Sequence, residues 1–187
     1  MTINAKEAIL AVAKRTAMAR GYGGLNFRDL AGEVGIKAPS LYHYFPSKAD
    51  LGAAVAKRYW EDIGVALEAI SDASPDPLEA LRRYPGIFRE SLASDNRMCL
   101  SSFMAAEYDA LPEPVRAEVQ AFADVNVAWL SRLLVGAAVT DPASAATRAR
   151  AIYAAVVGAQ LFARGRSDIA LFDAMIDSYR VAGLLPA

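Results

Sequence analysis

The chain is poor in the residues on which most site chemistry depends. It has one cysteine, Cys99, which excludes an intrachain disulfide and fits a reducing compartment. It has one histidine, His43, so no His/Cys cluster stands at ligand spacing and neither a metal site nor a Ser/His/Asp or Cys/His pair is expected. No GxGxxG, Walker A or HExxH string occurs, and no cofactor is expected. β-branched runs and hairpin dipeptides are scarce, which disfavours a sheet. No run of about 18 apolar residues is present, so no membrane span is expected. The stretch MTINAKEAILAVAKRTAMAR carries charges through its apolar positions and lacks an uninterrupted apolar core, so it does not read as a signal peptide. These absences point to a cytoplasmic protein that is neither an enzyme nor membrane-bound.

What is present is apolar and helix-forming. The 187 residues are 55% hydrophobic and rich in alanine, enough for a packed core of the all-α class. The net charge of −1 conceals a division. Residues 1–60 hold nine Lys/Arg against four Asp/Glu, a balance of +5, while the remainder holds 11 against 17, a balance of −6. A basic N-terminal part on an acidic body suggests that the first meets a polyanion and the second does not.

Breakers divide the chain into about nine helices. The first spans residues 4–20 and stops at Gly21. Asn26 caps a short helix over 27–34, which Gly35 ends. Pro39 suits the first turn of another short helix running to about Phe45. Pro46-Ser47 breaks it, and Ser47 can cap a long helix over 48–70 with a stripe of Leu51, Val55, Tyr59, Ile63, Leu67 and Ile70. Further helices are expected at about 78–93, 96–109, 114–137, 142–164 and 169–184, with no internal repeat or low-complexity tract.

The informative window is LAGEVGIKAPSLYHYF, residues 30–45. A helix-turn-helix needs a small residue where its two helices cross, and Ala31 supplies it. Four residues on, the turn needs a residue tolerant of positive φ, and Gly35 supplies that. Leu30, Val34, Ile36, Leu41 and Phe45 are placed to anchor the pair, leaving Lys37, Ala38, Pro39, Ser40 and His43 outward. A plain αα-corner would show the same anchors. Residues ~9–51, through Arg20-Gly21-Tyr22, Phe27-Arg28-Asp29-Leu30-Ala31, Gly35-Ile36 and Leu41-Tyr42-His43-Tyr44-Phe45-Pro46-Ser47-Lys48, resemble the DNA-binding domain of the tetracycline-repressor (TetR/AcrR) family. Met98-Cys99-Leu100, Ala105-Ala106-Glu107 and Leu111-Pro112 more loosely resemble the start of the effector domain in one branch of it. There are departures: Ala17 stands where an aromatic is usual, Lys14 and Thr16 replace apolar residues, and Asn26 replaces a Thr/Ser cap.

The resemblance implies an N-terminal three-helix domain, residues 1–47, and an effector-binding and dimerisation domain, residues 48–187, joined by the helix 48–70. It implies that the second short helix enters the major groove of double-stranded DNA. Lys37, Ala38, Pro39, Ser40 and Tyr44 are then expected near bases or backbone, with His43 on the same helix. Tyr42 and Lys48 match positions that grip phosphate, and Arg28 can reach phosphate or a guanine edge.

One such unit reads few base pairs, so a homodimer on a palindromic operator is implied. Its interface is expected on the last two helices, at Ala151, Ala155, Gly158 and Phe162, with Phe172, Met175 and Tyr179; the alternative is that both stripes fill the monomer core. An effector pocket among the middle helices would draw on Trp60, Phe103, Tyr108, Phe122, Trp129 and Tyr153, with Gln160 as a polar contact. The function so read is a repressor released by a small, mainly apolar effector. One alternative is an electrophile- or redox-responsive repressor acting through Cys99, whose thiolate Arg97 could favour, although a buried small hydrophobe is the plainer role for that thiol. A small all-α enzyme would need a polar constellation that the body does not show.

Overall fold

A computed structural model describes residues 5–187, and every regular element among them is helical. The order is α1 (Ala5–Arg20), α2 (Phe27–Val34), α3 (Ala38–Tyr44), α4 (Lys48–Asp72), α5 (Pro77–Ala93), α6 (Leu100–Ala106), a single 3₁₀ turn (Tyr108–Ala110), α7 (Glu113–Gly136), α8 (Pro142–Arg166) and α9 (Ile169–Val181). The all-α expectation holds. Residue 4, where the first helix is expected to start, lies outside the described residues.

Local chemistry sets the ends. Asn26 Oδ1 accepts from the N–H groups of Arg28 and Asp29 at 2.8 and 3.3 Å and so opens α2. Gly35 closes α2 at φ 79°, in the left-handed region. Ser47 Oγ accepts from the Asp50 N–H at 3.1 Å and donates to Asp50 Oδ2 at 2.7 Å, a reciprocal cap at the start of α4. Asp76, Asp141 and Asp168 cap α5, α8 and α9 through the N–H groups of Leu78, Ala143 and Ala170, each at 2.9 Å. Pro85 lies inside α5 without ending it.

One difference from expectation is substantial. The helix expected from residue 96 begins at Leu100, because Asp95 and Asn96 take φ values of 59° and 53° and turn the chain. The Asn96 side-chain amide donates to Arg164 O and Ser167 Oγ at 3.1 and 3.2 Å, which holds the turn.

The chain forms two compact units: residues up to Glu61 with Cys99–Phe122, and Asp62–Met98 with Ala123–Ala187. In the first, Ile9, Ala13 and Ala17 of α1 pack with Leu30, Leu41, Phe45, Leu51, Leu100 and Met104, all nearly inaccessible. In the second, α5, α8 and α9 close around Leu81, Tyr84, Phe88, Ile152, Val156 and Phe172. Each large side chain so buried contributes about 1.5–3 kcal/mol, and these cores rather than local propensity hold the short helices. Both α4 and α7 run from one unit into the other.

Candidate nucleic-acid interface

The outward face of α3 follows from its anchors. Leu41 and Phe45 are 0% and 3% exposed. The side chains between and before them therefore turn out, and Lys37, Pro39, Ser40, Tyr42, His43 and Tyr44 are all exposed, with Ala38 half-buried. The His43 and Tyr44 rings meet edge-on at 5.5 Å. Ala31, 1% exposed, gives the close crossing of α2 and α3.

Beside this face lies an open groove of ≈ 780 Å³ lined by Leu25, Asn26, Phe27, Arg28, Asp29, Ala38, Tyr42 and Lys48. Four of the sequence-selected residues, Arg28, Ala38, Tyr42 and Lys48, thus share one concavity. The Tyr42 ring rests on Phe27, centroids 4.6 Å apart, which leaves its outer part exposed to solvent. Two cations against one carboxylate, beside the first turns of α2 and α4, make the groove a suitable cradle for phosphate.

Lys48 is held from below. Its Nζ donates to Gly23 O at 3.0 Å and stands 4.7 Å from the centroid of the Tyr22 ring. Tyr22 is 8% exposed, and burial pushes its phenol above the usual tyrosine range. Its N–H donates to Glu107 Oε2 at 2.7 Å. The contributions of Gly23, Tyr22 and Glu107 are not evident from the sequence, because they come from a turn and from a residue 85 positions away.

The residues proposed for an effector pocket are distributed over both units. In the first, Trp60 Nε1 donates to Glu118 at 2.7 Å, Phe122 stacks on Tyr59 at 5.6 Å, Phe103 is half-buried, and Tyr108 is exposed under the Arg116 guanidinium at 4.6 Å. In the second, Trp129 stacks on Tyr84 at 5.7 Å and donates to Ser71 Oγ at 3.0 Å. Tyr153 meets Phe88 edge-on at 6.4 Å, and Gln160, fully buried, donates to Phe88 O at 2.7 Å. Tyr84 Oη donates to Asn126 Oδ1 at 2.9 Å, a buried polar pair in the same core.

A cavity of ≈ 330 Å³ within the second unit is lined by Gly64, Leu67, Glu68, Val125, Ala128, Trp129 and Arg132. Of the sequence-selected aromatics only Trp129 lines it. Arg132 Nη2 stands 2.6 and 2.7 Å from the two Glu68 oxygens at its rim. Its other walls are the small or aliphatic Gly64, Leu67, Val125 and Ala128 and the charged pair Glu68 and Arg132, none of them aromatic. The available signal was spacing, since Gly64-Leu67-Glu68 and Val125-Ala128-Trp129-Arg132 each repeat at helical intervals.

On α8, Ala151, Gly158 and Phe162 are exposed and Ala155 is half-buried, with Leu161 also exposed beside them. On α9, Met175 and Tyr179 are half-buried, but Phe172 is 1% exposed and occupied in the chain's own core. Cys99 is also in the core, at 2% exposure. Burial pushes its thiol up, with hydrogen bonding to the Ser102 N–H and to Tyr59 opposing in part. Arg97, expected to favour a thiolate, lies 3.9 Å from Asp95. No group of three or more His, Cys, Asp or Glu stands at metal-binding distance among the described residues.

Comparison with known proteins agrees with this geometry. Residues 9–55 match the family described as bacterial regulatory proteins, tetR family. The transcriptional regulator AcuR of Cereibacter sphaeroides is 32% identical over 101 residues, 52% of this chain and 46% of that protein, so the match spans about half the relative's length. The crystal structure of a TetR transcriptional regulator from Legionella pneumophila superposes with a TM-score of 0.89 at 30% identity, over 97% of this chain and 99% of that one. A TetR-family regulator from Agrobacterium tumefaciens gives 0.85 at 30% identity, over 93% and 94%. With its helix-turn-helix, its all-helical architecture and a like-for-like relative along nearly its whole length, the chain belongs to the TetR family of transcriptional regulators.

Proposed function

We propose that the protein is a cytoplasmic, non-catalytic repressor that binds a palindromic operator as a homodimer and is released by a small, mainly apolar effector. The observation that carries this reading is the exposed face of α3 beside a groove where Arg28, Tyr42 and Lys48 converge. Lys37, Pro39, Ser40, His43 and Tyr44 would meet base edges and sugar-phosphate, while Arg28, Tyr42 and Lys48 would hold phosphate and set register. The functional boundary would fall between residues 47 and 48, at the start of α4.

The effector would occupy the cavity beside Trp129, whose ≈ 330 Å³ lies at the lower end of the roughly 300–1,000 Å³ usual for small ligands. Because α4 begins at Lys48 and lines that cavity at Gly64 and Leu67, a ligand preferring one position of α4 would shift the population of DNA-competent dimers. No helix among the described residues is long and apolar enough to cross a membrane. The redox alternative draws no support from a Cys99 that is buried and pushed toward its neutral form.

Selection of random duplexes by the purified protein at moderate salt tests this reading. The expected result is a palindrome with half-sites about one helical turn apart. A protein that enriches no motif, and whose binding vanishes with modest salt, would not be an operator-reading repressor.

A further inference from the structure

The turn between α1 and α2, residues 21–24, is gripped from two directions by residues distant in sequence. From one side Glu107, the residue that ends α6, places its carboxylate against the turn and accepts the Tyr22 N–H at 2.7 Å. The fit is close: a Cβ on Gly21, which sits at φ 68°, would overlap that carboxylate, and a Cβ on Gly23 would lie 3.7 Å from Glu107 Oε1. The neighbouring Gly21 and Gly24 N–H groups donate within the turn, to Ala17 O and Gly21 O at 2.8 and 3.3 Å, so the Tyr22 N–H is the one that Glu107 takes. From the other side Lys48 donates to Gly23 O at 3.0 Å and lies over the Tyr22 ring at 4.7 Å. The same ring is pressed against α4, since a Cβ on Gly52 would come within 2.6 Å of Tyr22 Cε2.

Tyr22 is therefore fixed at its backbone by Glu107 and presents its ring as the floor beneath Lys48. We infer that Glu107 is a positioning residue for DNA binding: it sets the turn that aims the Lys48 ammonium at phosphate. The inference rests on the reading of the groove as a DNA interface. Glu107 itself carries a carboxylate, packed against the turn beside the groove that bears Arg28 and Lys48. As a bystander it would weakly repel phosphate, and its removal would leave affinity unchanged or raise it. As a positioning residue it has the opposite sign: its removal loosens the turn, costs Lys48 its aim, and lowers affinity.

The test uses the full chain and the duplex selected by the wild-type protein, with affinity measured by fluorescence anisotropy across a salt series. Glu107→Ala is expected to lower affinity by about tenfold and to flatten the logarithmic salt dependence by about one unit per half-site, the signature of a lost phosphate contact. Glu107→Gln, which keeps an acceptor for the Tyr22 N–H, is expected to recover most of the loss. In a Lys48→Met background, Glu107→Ala is expected to have little further effect, since the contact it serves is already gone. Circular dichroism melts separate this from unfolding, and if the Ala variant does not fold Glu107→Asp carries the test: it keeps the charge but withdraws the carboxylate from the Tyr22 N–H by one methylene, so affinity is expected to fall, and an affinity equal to wild type overturns the inference. A Glu107→Ala protein that folds and binds as tightly as wild type, or whose loss persists undiminished without Lys48, overturns the inference and leaves the DNA reading standing. A wild-type protein that selects no duplex overturns both.

Discussion

Cys99 shows how one side chain acquires its chemistry from its surroundings. In the chain it stands two residues from Arg97, which reads as an activating cation. In the fold Arg97 lies by Asp95, and Cys99 is enclosed at 2% exposure, where burial raises its pKa. The consequence has a definite sign. A thiol whose folded pKa lies above its unfolded value of about 8.5 contributes stability that is complete below that value and is lost as pH rises through the folded value. Native protein is therefore expected to react slowly with an aromatic disulfide reagent at pH 7, with only a shallow increase toward pH 9, while denatured protein reacts fully and follows the ordinary thiol titration. A native thiol as reactive as the denatured one would restore Cys99 as a candidate sensor. The residues of the α3 face were legible because their exposure follows from two anchors, Leu41 and Phe45, on the same short helix. Glu107 was not, because its partner is a backbone N–H in a turn 85 residues earlier, and no local pattern records that.

At the scale of elements the same distinction separates what the chain states locally from what packing decides. Although α9 ends three residues early at Val181, the described ends of α1, α2, α4 and α8 fall within two residues of expectation, because glycine, proline, Asn/Asp and Ser act on the backbone next to them. The start of α6 does not, because the turn before it is held by Asn96 reaching the C-terminal end of α8. Two substitutions separate the terms in that turn. Asn96→Ala loses both hydrogen bonds and places a residue without side-chain compensation at φ 53°, for an expected loss of about 2 kcal/mol. Asn96→Gly loses the same hydrogen bonds but tolerates the conformation, and is expected to be the more stable of the two by about 1 kcal/mol. Urea denaturation of both variants measures the difference. Equal stabilities would mean that the left-handed conformation carries none of the cost.

The whole molecule raises the question of how a small reading head becomes specific. All-α class and helix order were legible because breakers are local, and the N-terminal excess of positive charge coincides with the groove bearing Arg28 and Lys48. Spacing alone does not assign the proposed dimer surface: on α8 Ala151, Gly158 and Phe162 are exposed and Ala155 is half-buried, whereas Phe172 of α9 faces inward, since a stripe of small and large apolar residues looks the same in a core and in an interface. Gly158 allows the two to be separated experimentally. A Cβ there would meet nothing within 4 Å and the position is exposed, so a side chain can leave the helix there into open space, and replacing glycine inside a helix is worth up to about 1 kcal/mol in its favour. In a two-fold dimer that buries this stripe, residues near the axis face their own copies. Gly158→Arg would then set two guanidinium groups against each other across the contact. The variant is expected to keep its helix content and to melt no lower as a monomer, yet to sediment as a monomer where the wild type sediments as a dimer. Its affinity for the full palindrome should fall toward that for a single half-site, because the second head is no longer delivered at high effective concentration. A Gly158→Arg protein that remains dimeric and binds the full operator undiminished would move the interface off this stripe, and with it the proposed route by which two heads would be set one helical turn apart.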